Sequence, residues 1–173
     1  MRSEVALESM HLQLKPDPMM RDAWARHYDT LGNIAMQEKR LHDAHALFLA
    51  AQALRRINGS VSLLAHSAGN IAGVLALKGD WENSAEAFQE VAEQWASLGN
   101  SEMELIGRLN LIECLLEMDS PPDAERKNRI NALLEASDKL LKPLGSPQLE
   151  GILAGHRERA LSVFALSSEQ NFQ

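Results

Sequence analysis

Apolar positions recur along the chain with a helical period. Between residues 22 and 38, Ala25, Tyr28, Leu31, Gly32 and Ala35 follow one another at spacings of three and four. Between 42 and 57, Ala44, Leu47, Phe48, Ala51, Leu54 and Ile57 do the same. Such spacings gather side chains on one face of a helix, whereas a strand alternates every second residue. Breaker clusters divide these stretches: Lys15-Pro16-Asp17-Pro18, Asn58-Gly59-Ser60, Lys78-Gly79-Asp80, Gly99-Asn100-Ser101, Ser120-Pro121-Pro122 and Gly145-Ser146-Pro147. Gly59, Gly79 and Gly99 suit the left-handed conformation that closes a helix. Ser60, Asp80, Asn100 or Ser101, Ser120 and Ser146 can cap the helix that follows, and Pro121 and Pro147 suit a first helical position. The pattern predicts helices at about 21–38, 42–57, 61–78, 81–98, 101–118, 122–142 and 148–166. Residues 1–18 form a flexible segment or a short helix, and 19–173 form a single domain.

The helices come in repeated pairs. Leu31-Gly32-Asn33-Ile34-Ala35 recurs as Ala68-Gly69-Asn70-Ile71-Ala72 and, more loosely, as Arg108-Leu109-Asn110-Leu111-Ile112. The asparagines stand 70 − 33 = 37 and 110 − 70 = 40 residues apart. In the second helices, His42-Asp43-Ala44-His45-Ala46-Leu47-Phe48 aligns with Glu82-Asn83-Ser84-Ala85-Glu86-Ala87-Phe88 at an offset of 40. The change from 37 to 40 makes the helix at 61–78 nearly a turn longer than its counterpart. One helix pair cannot bury its apolar face alone, and stacking about three pairs provides a continuous core. The expected repeats are 21–58, 61–98 and 101–142. A carboxy-terminal helix at 148–166 caps the stack, with Leu149, Ile152, Leu153, Leu161 and Phe164 toward it and Arg157, Glu158 and Arg159 toward water.

Composition narrows the function. The net charge is −7, so a phosphate backbone is repelled on average and direct nucleic-acid binding is not expected. The cluster Arg126, Lys127 and Arg129 reads as a solvated helix face. The one cysteine, Cys114, rules out an internal disulfide and, among Leu111, Ile112, Leu115 and Leu116, reads as a buried, inert thiol. No stretch approaches the ~20 apolar residues of a membrane span, and the first residues lack a signal-peptide pattern. The expected location is cytoplasmic, with no membrane partner.

The pattern resembles the tetratricopeptide repeats. Tyr28, Leu31, Gly32 and Ala35 in one helix and Ala44, Phe48 and Ala51 in the next stand at that family's spacing. The second pair keeps Gly69, Ala72, Phe88 and the turn Gly79-Asp80-Trp81, with Ser84 where the family prefers Ala. The third pair is degenerate, with Leu109 in place of a small residue and Pro121-Pro122 opening its second helix. The resemblance covers about 25–142 and its period is that of the extended variants. It implies an all-α fold: a right-handed superhelix of three antiparallel helix pairs plus the capping helix, with the first helices lining a concave surface.

The resemblance also implies a partner-binding face. Its peptide-contacting positions map to Arg26, Asp29, Asn33, Met36 and Gln37 in the first pair, and to Leu63, His66, Asn70, Gly73 and Val74 in the second. In the third they map to Met103, Ile106, Asn110, Glu113 and Cys114. An amide both donates and accepts, so a ladder of Asn33, Asn70 and Asn110 could grip the backbone of an extended peptide, with Met36, Leu63, Val74, Met103 and Ile106 adding apolar contacts. The same amides could instead bond across neighbouring helices and hold the stack. Asp29 stands where a clamp for a terminal carboxylate would want lysine.

Other chemistry is sparse. Trp24, Trp81 and Trp95 read as packing residues at helix ends, with Trp24 also a candidate exposed anchor. His42 and His45 flank Asp43 without a third ligand, so no metal site is expected. No phosphate-binding glycine loop or nucleophile elbow is present, and neither catalysis nor a cofactor is expected. The sequence points to an adaptor or scaffold that binds a peptide or helix of a partner protein. The alternatives are a dedicated chaperone, such as one for a translocator of a bacterial secretion system, and a module that senses a signalling peptide or transcription factor. A homo-oligomer is compatible with each.

Overall fold

The computed structural model describes residues 17–170, so the expectation for the first sixteen residues lies outside them. Among the described residues the chain is all-helical, with no strand. Its helices are α1 (Pro18–Gln37), α2 (Leu41–Asn58), α3 (Val61–Leu77), α4 (Trp81–Ser97), α5 (Ser101–Glu117), α6 (Ala124–Leu144) and α7 (Pro147–Gln170). The chain divides into two compact units, residues 1–67 and 68–173, and the division falls inside α3.

Of the expected caps, Asn100 acts as one, whereas Asp80 makes no side-chain cap bond and Ser120 precedes no helix directly. Gly59, Gly79, Gly99 and Gly145 all adopt positive φ at the turns. Asp17, Asn100 and Asp123 accept the N–H groups of Met19, Met103 and Arg126 at helix starts, satisfying donors that have no partner within the helix. Pro121 does not open a helix. Ser120 lies in a bend, Pro121 and Pro122 lie outside any helix, and α6 begins at Ala124 behind the Asp123 cap. Lys39 takes φ 59 where the equivalent turn forty residues later uses Gly79. Both turns close alike, with Arg40 N–H donating to the Ala35 carbonyl and Asp80 N–H to the Leu75 carbonyl.

In the first unit, α1 and α2 pack as a hairpin in which small residues of one helix receive large residues of the other. Ala25, Ala51 and Leu54 are buried together with Tyr28 packed against them, and Gly32 faces the fully buried ring of Phe48. Leu31 does not join this core; it is exposed beside Ile34. A buried ion pair crosses the hairpin: Arg55 donates to Asp29 and also to the hydroxyl of Ser67 at 2.5 Å. Burying charges is costly unless they are paired, and this pair supplies the pairing.

In the second unit, the core joins Ala72, Ala85 and Phe88 to Leu105, Leu109, Leu111, Ile112, Leu115 and Leu116 of α5, and to Ile130, Leu134, Leu149 and Leu153. Ser84 is fully buried where alanine would suit the pattern. Its hydroxyl donates to the Ala72 carbonyl at 2.9 Å and lies 3.2 Å from the Cys114 sulfur. Burial and neighbouring carboxylates raise the Cys114 thiol above its ordinary pKa despite the Ser84 bond, so the thiolate is disfavoured. Of the expected α7 contacts, Leu149 and Leu153 are buried, whereas Ile152 and Leu161 are exposed.

Candidate functional site

The helix ends set the register between repeats. α1, α3 and α5 stop at Gln37, Leu77 and Glu117, a period of 40 residues. Forty residues on from Gly32 and Phe48 stand Ala72 and Phe88, both buried in the second unit's core. The local sequence match that equates Asn33 with Asn70 is three residues out of step with the helix ends. Asn70 and Asn110 are equivalent, their partner in α1 is Thr30, and Asn33 corresponds to Gly73 and Glu113. The expected extra turn is found only past the asparagine. α3 continues seven residues beyond Asn70 and α1 four beyond Asn33, but α1 is longer overall, at 20 residues against 17.

In this register the accessible positions fall into line. Arg26, Thr30, Asn33 and Gln37 are all exposed on α1, at spacings of four, three and four. Their counterparts on α3 are His66, Asn70, Gly73 and Leu77, of which His66 and Leu77 are exposed and the other two half-buried. On α5 they are Ile106, Asn110, Glu113 and Glu117, with Asn110 exposed and the rest half-buried. Thr30, Leu77 and Glu117 are absent from the sequence-derived set. The 40-residue spacing of the Lys39 and Gly79 turns was the signal that could have supplied them.

Several expected contact residues are occupied elsewhere. Val74 is fully buried and Cys114 nearly so, which removes both from any surface. Asp29 is buried and paired with Arg55, so it is neither a peptide contact nor a misplaced clamp residue. Met36, Leu63 and Met103 are half-buried at the edges of their helices, and Ile106 packs against the second unit's core. Arg26 forms an ion pair with Asp22 at 2.7 Å. The Asn70 side-chain nitrogen is shielded from solvent and has no hydrogen-bond partner, a state that costs about 1–3 kcal/mol for a neutral donor.

Glu113 is engaged by α7. Arg159 donates to Glu113 at 2.7 Å and also to Glu117, and His156 Nδ1 lies 3.3 Å from Glu113. Arg159 therefore binds α5 while its side chain stays partly exposed, so it does more than face water as the sequence suggested. Burial opposes the charge on Arg159, but its bonds to Glu113 and Glu117 outweigh that and raise its pKa. Burial lowers the His156 pKa, with Glu113 opposing and Arg159 assisting. Of the tryptophans, Trp95 is buried, Trp81 half-buried and Trp24 exposed. A groove of about 320 Å³ between α6 and α7, lined in part by Leu134, Ala160 and Phe164, was not foreseen from the sequence.

Among the described residues, no three His, Cys, Asp or Glu side chains gather as a metal site, and no helix is long and apolar enough to cross a membrane. No protein-family model and no curated protein matches the chain. The reading of function rests on the chain's own geometry.

Proposed function

We infer that this chain is a non-catalytic protein-binding module, built as a superhelix of three tetratricopeptide-like helix pairs, that takes a peptide or helix of a partner protein along its first helices. The observation that carries this reading is the exposed amide of Asn110 and the exposed hydroxyl of Thr30, at the place in their helices that the half-buried Asn70 holds in α3. A peptide backbone offers carbonyl groups at regular intervals, and a row of amide and hydroxyl groups bonds them without reading side chains. Within each first helix, Arg26, His66 and Ile106 stand one turn before these positions and Asn33, Gly73 and Glu113 one turn after.

The charged clusters favour binding over catalysis. Asp29 with Arg55, and Glu113 and Glu117 with Arg159, satisfy one another and hold helices together. The acidic chain fits a protein partner better than a nucleic acid, and the proposed setting is the cytoplasm. Affinity capture followed by mass spectrometry tests the reading, comparing wild type with an Asn70→Ala/Asn110→Ala variant of unchanged helicity. A specific partner should be recovered at least ten-fold less well by the variant. Equal recovery would remove these positions from the binding face.

A further inference from the structure

α1 carries a second surface, separate from the one above. Met20, Trp24, His27, Leu31 and Ile34 follow at spacings of four, three, four and three. This is the a/d spacing by which one helix seats another. The four apolar members are each between 36% and 54% exposed, and His27 is exposed too. At ~100° per residue, the midline of the stripe lies more than a quarter-turn around the helix from Arg26 and Asn33, with Thr30 and Gln37 on the border between the two faces.

We propose that this stripe is a homodimer interface, with α1 of two copies packed antiparallel so that Ile34 of each enters a hollow on the other. The hollow is present: Ala23, Trp24 and His27 line a depression of about 270 Å³, room for an aliphatic side chain. In an antiparallel a/d pairing that sets Trp24 against the partner's Ile34, His27 meets the partner's Leu31, and both contacts occur twice by symmetry. One surface thus carries both knob and hole, as an isologous contact requires.

Charge and preorganisation favour the same occupant. Two copies at net charge −7 repel each other, but between Met20 and Ile34 the stripe itself holds no carboxylate, lysine or arginine; the nearest charges are Arg21 on one flank and Glu38 beyond its end. Trp24 is already ordered, edge-on to His27 at 5.9 Å and against Tyr28 at 6.2 Å, so docking costs it little rotamer freedom. From Met20 to Ile34 the stripe runs about 21 Å. It offers on the order of 500 Å² per copy, so a dimer buries roughly 1,000 Å², the lower bound for a specific contact. An interface of that size fits a weak, reversible dimer.

Sedimentation equilibrium on the full chain tests this. Wild type should approach twice the 19.1 kDa chain mass as concentration is raised to about 100 µM. Ile34→Glu, which places a charge in the hollow, and Ala23→Trp, which fills it, should each weaken association at least ten-fold with helicity retained. Asn33→Ala, on the other face, should leave it unchanged. A wild-type monomer at that concentration overturns the proposal, as does a dimer that neither variant weakens. A dimer that forms only once residues 1–16 are deleted also overturns it, because the chain's own amino-terminal residues would then be the occupant.

Discussion

Gly32 and Phe48 touch so closely that a Cβ on Gly32 would lie 2.6 Å from the Phe48 ring. The ring is fully buried and cannot swing into solvent. Gly32→Ala should therefore destabilise the fold by about 1–3 kcal/mol, although alanine is the better helix former. Gly73, in the next first helix, has open space at the same atom, so Gly73→Ala should stabilise by about 0.5–1 kcal/mol. Urea denaturation of the two variants checks the opposed signs.

Asp29 and Arg55 stabilise the first unit only as a pair. Asp29→Ala leaves a buried guanidinium bonded to Ser67 alone and should cost about 3–5 kcal/mol. Adding Arg55→Met should recover a large part of that loss. A double-mutant cycle in which the two losses simply add would contradict the pairing.

Lys39 adopts the backbone conformation that Gly79 adopts in the matching turn. A left-handed conformation costs an L-residue roughly 1–2 kcal/mol, and the extra freedom of glycine in the unfolded chain returns part of this. Lys39→Gly should raise stability by about 0.5–1 kcal/mol, read as a shift in denaturation midpoint at unchanged slope.

His156 makes stability depend on pH. Its folded pKa lies below the ordinary 6.5 because burial disfavours the charged ring. Below 6.5 the unfolded chain therefore binds more protons than the folded one. The contribution of His156 is complete above pH 6.5 and is lost as pH falls toward the lowered folded value. The difference in stability between wild type and His156→Gln should shift against wild type between pH 7 and pH 5, as followed by thermal unfolding.

Much of the architecture was legible because backbone chemistry is local. Glycine after a periodic stretch and Asn or Asp before the next placed most helix ends within two or three residues. The capping residue Asp123 was hidden behind two prolines that looked like a helix start. Asn33 and Asn70 sit in nearly identical pentapeptides, yet the ends of their helices put Thr30, not Asn33, forty residues before Asn70. Long-range pairs carry no sequence signal: Arg159 meets Glu113 across 46 residues, and nothing near Asp29 announced that Arg55 would bury it.

Site-specific photo-crosslinking tests the binding face most directly. With a photoreactive residue at Thr30, Asn70 or Asn110 in turn, the account predicts adducts to the same partner protein from all three positions. A photoreactive residue at Glu90, exposed on the second helix α4, should give none. Adducts from Glu90 with none from the three first-helix positions would contradict it.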